Sequence, residues 1–403
     1  MAAAAITECN PAAELFLIER NPELGKKVLI SGGGRCNVTT GLSDMRTLFT
    51  KYPRGAKFLS SAFYQFPPDA VYAWFESRGV PLKIEDDLRV FPVSDDGHDV
   101  VGAFEKMFAA APRVKILLSH AATSIARVGE KFEINFKTEP PLTVDKIILT
   151  TGGQTYRHTG STGDGYAFAE ALGHTITPLA ASLSSFISRE AWVKSLAGVS
   201  FERVGVRTDR CATARVDGPM MFTHHGVTGP ALFAFSALIA YEPITPAQPM
   251  NVFLNFFPDL TPAELLKLVS ASCALHTKRT IENVVATFVP KSVAGVVCGV
   301  AEVTTEKRAS EMSKKELARA CEVLQALCVC AIGRGAGDEF VTAGGVALAE
   351  VNPSTMESRK TPGLFFAGEI LDVDGFTGGF NLQASWATGR LAGMFILTNQ
   401  SEA

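Results

Sequence analysis

Apolar residues gather in short continuous runs near both ends of the chain. Leu15-Phe-Leu-Ile18 is closed by Glu19, Val144-Asp-Lys-Ile-Ile-Leu149 by Thr150-Thr-Gly-Gly153, and Gly363-Leu-Phe-Phe-Ala367 by Gly368-Glu369. Runs this short, bounded by turn residues, predict buried strands of a parallel sheet. Val114 to Leu118 reads as a further strand. Ser124 to Val128 and Phe132 to Phe136 flank Gly129-Glu130 and predict a hairpin. Helical spacing predicts helices over 56–64, 69–78, 97–110, 163–172, 261–273, 313–328 and 379–397. The last carries Leu382, Trp386, Leu391, Met394 and Phe395 as one apolar stripe.

The middle of the chain differs. Residues 198–256 read as β-like, and 259–325 as helical, with Asp259 or Thr261 as N-cap before Pro262. Tyr241 to Pro249 reads as a long loop. Strands and helices therefore alternate at both ends around an insertion. The expectation is an α/β nucleotide-binding domain built from 1–185 and 336–403, interrupted by a β-like plus helical insertion over 186–335.

Composition narrows the function classes. The 403 residues carry 38 Lys and Arg against 41 Asp and Glu, a net charge of −3, which argues against a general nucleic-acid binder. Hydrophobic residues make up 47% and charged ones 20%, so the chain builds a large core. Eight cysteines without a CxxC pair point away from a disulfide scaffold or structural zinc, and toward a reducing, cytoplasmic setting. No metal is expected. No apolar run reaches the length of a membrane span. Met1-Ala-Ala-Ala-Ala-Ile6 lacks a basic segment and soon meets Thr7 and Glu8, so it predicts a helix rather than a signal peptide.

The chemistry sits in the glycine clusters. Ser31-Gly-Gly-Gly-Arg-Cys-Asn37 offers backbone N–H groups for an anion and a guanidinium for a phosphate; the plain alternative is a flexible loop. Phe366 to Gln383 runs from strand to glycine turn, past Glu369, Asp372 and Asp374, to a helix N-terminus. Its partial positive charge suits the pyrimidine end of a flavin. Glu19 ends a strand where a dinucleotide fold places the acid that binds a ribose, or it is an ordinary strand-end residue. That acid falls about 20 residues after the glycine fingerprint, which places the fingerprint before Met1. Cys36 has no resolving cysteine nearby and reads as structural. Cys328, Cys330 and Trp386 read as core.

Six segments together resemble the BaiN/YhiN-type FAD-dependent oxidoreductases. These are 25–39 with its Ser-Gly-Gly-Gly-Arg-Cys-Asn, Arg89-Val-Phe-Pro-Val-Ser94, Gly160-Ser-Thr-Gly-Asp-Gly-Tyr166, Phe222-Thr-His-His-Gly-Val-Thr-Gly-Pro230, Val341-Thr-Ala-Gly-Gly-Val346 and 363–383. The resemblance covers nearly the whole chain. It implies a glutathione-reductase-like FAD domain with an inserted β-barrel-like and helical region. Aminoacetone oxidation and enone reduction are among the activities assigned in the group.

Matched motif by motif, Glu19 is expected to bind the adenosine ribose. Ser31, Gly32, Gly33, Gly34, Arg35 and Asn37 are expected along the FAD, and Thr151 and Gly152 at a second glycine turn. Gly368, Glu369 and Asp374 are expected near the ribityl and pyrophosphate, and Gly378, Gly379, Phe380, Asn381 and Leu382 by the isoalloxazine. His224, in the Thr-His-His-Gly turn, is a candidate acid–base catalyst or a turn residue. The family's first strand and GxGxxG are absent, and Arg157 stands where its pattern has proline.

The expected function is FAD-dependent oxidoreduction by hydride transfer at flavin N5, on a small amine, carbonyl or enone-type substrate bound between domain and insertion. NAD(P)H is a possible partner, with no nucleic acid and no membrane. The alternative is a truncated or degenerate homologue that binds FAD poorly. In that reading the protein starts upstream of Met1, and a gap separates the 15–19 strand from the 363–367 strand.

Overall fold

In the computed structural model, which describes residues 1–335 and 340–397, the chain divides into two units. One is Met1–Ser182 with Phe340–Ala403, the other Leu183–Glu339. The expected second part of the cofactor domain opens on residues 336–339. These, like 398–403, lie outside the described residues.

In the first unit the apolar tetrad forms the strand Leu15–Ile18, parallel to Val114–Leu117. It is half-buried, not buried as expected, because among the described residues it has a single strand neighbour. The run 144–149 is not one strand. Leu142–Val144 joins the antiparallel sheet of Ala122–Val128 and Lys131–Phe136, while Ile147–Leu149 pairs in parallel with Leu364–Phe366. The polar pair Asp145-Lys146 makes the break. The predicted hairpin forms, with Val128 opposite Lys131 and Gly129 at φ 61°. The strands Leu15–Ile18 and Leu364–Phe366 do not pair with each other; each belongs to its own two-stranded sheet.

The last helix, Phe380–Phe395, is the axis of this unit's core. Trp386 is buried, with its ring 5.8 Å from Phe104 and 5.7 Å from Phe75. Its indole N–H donates to the Val38 carbonyl at 2.9 Å. The opening helix, Ala2–Cys9, packs on the same helix through small residues. Ala4 and Ala5 are fully buried, and Gly389 and Gly393 face Ala2.

A buried histidine ties the helix Asp164–Ala171 to the strand Leu364–Phe366. Ser358 Oγ accepts from the N–H groups of Lys360 (3.0 Å) and Thr361 (2.7 Å). Its own proton therefore goes to His174 Nε2, 2.7 Å away. That fixes the neutral imidazole with Nδ1–H toward Glu350 at 3.2 Å. The ring lies edge-on to Phe366, 4.7 Å between centroids. Lys360 pairs with Glu350 alongside. Burial pushes this imidazole below the ordinary histidine range, against the pull of Glu350 and with that of Lys360. A histidine whose folded pKa is depressed contributes stability that is full above the unfolded value and lost as pH falls below it. The melting temperature should accordingly drop as pH falls from about 6.5, the unperturbed histidine value. His174→Gln, which can accept from Ser358 without titrating, should flatten that part of the profile. An unchanged slope in the variant would assign it to other groups.

In the second unit, six strands among the described residues close a barrel. Their order is Phe186–Ser188, Gly226–Thr228, Arg215–Phe222, Ser200–Thr208, Met250–Asn255 and Leu327–Arg334. Val204, Val206, Phe222, Val252, Leu254 and Val329 fill it. Two expectations are corrected here. The helix read over 313–328 stops at Gln325, since Leu327–Arg334 alternates inward and outward as a strand. On that strand Cys328 and Cys330 take the outward alternation and are half-buried, not core. The β-like stretch also contains the helix Pro230–Leu238, started by proline at its first position. Thr261 is the N-cap of Pro262–Leu275, in a capping box with Glu264. Among the described residues, no helix is long and apolar enough to cross a membrane.

Candidate functional site

The glycine loop begins as a short helical turn, Lys26–Ile30, and then leaves helical geometry. Gly32, Gly33 and Gly34 take φ of 59°, 72° and 93°, a region open to glycine at little steric cost. A Cβ on Gly32 would sit 2.8 Å from the Phe91 ring and 2.9 Å from the Asn37 nitrogen. Gly33 and Gly34 face open space. Ser31 closes the loop: its carbonyl accepts from Cys36 N at 3.0 Å and its hydroxyl donates to Val28 O at 2.7 Å. Burial pushes the Cys36 thiol up to about 12, so it stays protonated and structural.

The last helix is sewn to the residues that follow this loop. With the Asn37 amide oriented to satisfy both ends, its oxygen accepts from Gly379 N at 2.9 Å and its NH2 donates to Thr39 O at 3.0 Å. Thr39 Oγ1 lies 2.6 Å from Gln383 Oε1, and Gln383 Nε2 donates to Phe66 O at 2.9 Å. Tyr52 O–H donates to the Phe380 carbonyl at 2.7 Å. Asn381 holds the approach to the helix, accepting from Gly375 N and donating to Gly375 O, both at 2.8 Å. Gly378 abuts the Phe380 ring, and Leu382 is half-buried. The N–H groups of the helix's first turn have no intrahelical acceptor.

Two strand ends meet nearby. Ile147–Leu149 leads to Thr151 and Gly152, the latter at φ 73°. Leu364–Phe366 leads to Gly368, at φ 77°, and Glu369. Glu369 accepts from Thr342 N at 3.0 Å and pairs with Lys27, which also donates to Thr155 Oγ1 at 3.1 Å. Thr151 Oγ1 is buried without a partner among the described residues. Asp374 is fully buried between the Arg54 guanidinium and Ser182 Oγ, the latter at 2.6 Å. Burial pushes its carboxyl above the ordinary range, opposed by Arg54. Glu19, half-buried at the end of its strand, accepts from Asn21 N at 2.8 Å and Asn21 Nδ2 at 2.7 Å.

The structure thus brings Asn37 to Gly379, and Glu369 to the 151–153 turn. Arg35 and Asp374, both expected along the cofactor, have other partners. Arg35 pairs with Glu85 and Asp95, and Asp374 with Arg54. His224 is exposed in the turn between Arg215–Phe222 and Gly226–Thr228 of the second unit. Sequence reasoning missed Lys27, Arg54, Thr155, Thr342 and Gln383. Each has a partner more than a hundred residues away (for Thr342 it is Gln154, whose N–H donates to Thr342 Oγ1), and the sequence carries no local signal for these contacts.

The HI0933-like protein Rossmann domain family matches residues 1–395. The chain belongs to this family. It is an FAD-dependent oxidoreductase. It is 30% identical to a 3-dehydro-bile acid delta(4,6)-reductase of Clostridium scindens over 98% of this chain and 95% of that one. It is 27% identical to a ribosomal RNA dihydrouridine synthase of Escherichia coli, over 93% and 90%. A solved 3-ketosteroid-delta4-(5alpha)-dehydrogenase of Rhodococcus jostii shares the fold with a TM-score of 0.50 at 12% identity, covering 99% of this chain and 94% of that one. The RNA-directed name among the relatives means that net charge alone does not set nucleic acid aside.

The residues present fit FAD on three counts. Thr151 Oγ1, at a glycine turn, is a buried hydroxyl with no hydrogen-bond partner among the described residues. Gly33 and Gly34 leave space where any side chain would project. A strand-end carboxylate and a helix N-terminus supply the donor and acceptor chemistry for ribose and anionic oxygens.

Proposed function

We propose that this HI0933-like oxidoreductase reduces a C=C bond conjugated to a carbonyl in a small, largely apolar substrate. The observation that carries this reading is the 30% identity to a 3-dehydro-bile acid delta(4,6)-reductase over nearly the full length of both chains. The dihydrouridine named in the second relative is the reduced form of a base, uracil, that carries the same chemical motif, an alkene conjugated to a carbonyl. FAD, when bound and reduced, supplies a hydride at N5.

Glu19 binds the adenosine ribose, and Ser31, Gly32, Gly33 and Gly34 hold anionic oxygens through their N–H groups. Thr151, Gly152, Gly368 and Glu369 line the ribityl and pyrophosphate. The first turn of Phe380–Phe395 faces the pyrimidine end, where its partial positive charge stabilises the reduced ring. The second hydrogen of the product arrives as a proton, for which His224 is the proposed donor.

The test starts from purified protein reconstituted with FAD and reduced under anaerobic conditions. A steroid 4-en-3-one should reoxidise the flavin and appear as the saturated ketone, and a 4,6-dien-3-one should appear, one flavin turnover later, as a ketone with one C=C fewer. Glu19→Ala should weaken FAD binding by about tenfold, the scale of one lost charged hydrogen bond. His224→Ala should slow reoxidation without changing FAD affinity. Reoxidation by a uridine-containing RNA but not by the enones would replace the small-molecule reading. Colourless protein that FAD cannot reconstitute would favour the degenerate-homologue alternative.

A further inference from the structure

Left-handed backbone is concentrated around one side chain. Among the described residues, eight non-glycine residues have positive φ, and three of them, Cys36, Leu88 and Asp95, lie beside Arg35 or on the turns that carry its partners. Gly32, Gly33 and Gly34 precede it directly. Residues held in sparsely populated backbone regions persist where surrounding contacts over-determine them, and they cluster at ligand clamps.

Arg35 supplies those contacts. Its guanidinium lies 3.7 Å over the centre of the Phe91 ring. Nη1 reaches Glu85 Oε1 at 2.6 Å and Asp95 Oδ1 at 3.3 Å. Glu85 also pairs with Arg89 at 3.1 Å, and Asp95 with Lys83 at 2.6 Å. These partners all belong to the hairpin of Leu82–Ile84 and Arg89–Pro92 or to the turn that follows it. Phe91 is fully buried and is the ring that Gly32 touches. Single exposed ion pairs contribute little, but a guanidinium fixed by two carboxylates and a ring face is a network with defined geometry.

We propose that Arg35 is a positioning residue that latches the 32–34 nest to this hairpin, presetting its N–H groups for an anionic oxygen of FAD. Arg35 does not itself bind the phosphates: its charge is taken by Glu85 and Asp95. Consecutive left-handed residues followed by Arg35 in right-handed geometry, φ −80° and ψ −16°, are the backbone form that turns N–H groups to one side. This rests on the reading that the nest contacts the cofactor.

The test is a mutant cycle of Arg35→Ala, Glu85→Gln/Asp95→Asn and the triple variant, read in two ways. In apoprotein, hydrogen exchange should speed up in both segments, 26–40 and 82–95, in every variant. In reconstituted protein, the FAD Kd should rise about tenfold in each. The triple variant should be no worse than Arg35→Ala, as for groups acting as one unit. The charge swap Arg35→Glu/Glu85→Arg should recover part of the affinity and the wild-type shape of the bound flavin spectrum. Weakening by Arg35→Ala with no effect of Glu85→Gln/Asp95→Asn would make Arg35 a direct phosphate ligand and overturn the latch. Unchanged exchange in the apoprotein would overturn it too. Absence of FAD binding in the wild type would instead remove the cofactor reading and leave the exchange data to judge the latch.

Discussion

Gly379→Val should cost about 3 kcal/mol or more of stability and abolish retention of FAD. Two effects add. Gly379 has φ 88°, where a non-glycine residue costs roughly 1–2 kcal/mol, and a β-branched one is a clear outlier. A Cβ there would also fall inside contact distance of the Thr39 carbonyl oxygen. That carbonyl cannot retreat without moving Asn37, whose amide bridges Thr39 O and Gly379 N. The damage therefore reaches the helix start and the segment behind the glycine loop together. Gly129→Ala is the matching control: its φ is 61°, but a Cβ there meets nothing within 4 Å. It should cost only about 1 kcal/mol. Equal melting-temperature losses in the two variants would show that backbone conformation alone, and not the close approach to Thr39, sets the effect.

Asp374→Ala should destabilise by about 3–5 kcal/mol, because it strips a two-point partner from a largely buried guanidinium. Arg54 is 16% exposed and Asp374 fully buried, with Ser182 as the third member. Burial already opposes the charged carboxylate here, and Arg54 offsets that opposition. An apolar replacement of both partners should accordingly be milder than loss of one. Arg54→Met/Asp374→Leu should recover a measurable part of the stability lost in Asp374→Ala, by denaturant unfolding of the apoprotein. A double variant as weak as the single one would show that the pair's surroundings, and not the stranded charge, dominate.

Local signals carried much of the architecture. The short apolar runs marked Leu15–Ile18, Ile147–Leu149 and Leu364–Phe366, and glycine marked the left-handed turns after the last two. The stripe through Trp386 marked the last helix. Periodicity failed where the environment is uniform. Pro230–Leu238 is apolar on nearly every side, so no 3.6-residue period distinguishes it from a strand. The helix ending at Gln325 and the strand from Leu327 share one apolar run, and only barrel closure divides them. At the site, residues that offer backbone were legible because glycine itself is the signal. Arg35 was legible as a charge but not as a latch, since Glu85 and Asp95 lie 50 and 60 positions away. The same holds for Lys27 and Glu369, separated by 342.

The stitching of residues 37–39 to Gly379, Gln383 and Trp386 also sets a timetable for biosynthesis. The barrel draws all six of its strands from positions 186–334, so it needs nothing translated later. The segment behind the glycine loop must wait for the last helix. At roughly 5–20 residues per second, that delay is on the order of tens of seconds. Only in the last part of that interval, after Arg334 is made, does the nascent chain hold a finished barrel and an unfinished cofactor cradle. The segment behind the early glycine loop gains these packing partners only once the final helix has been made.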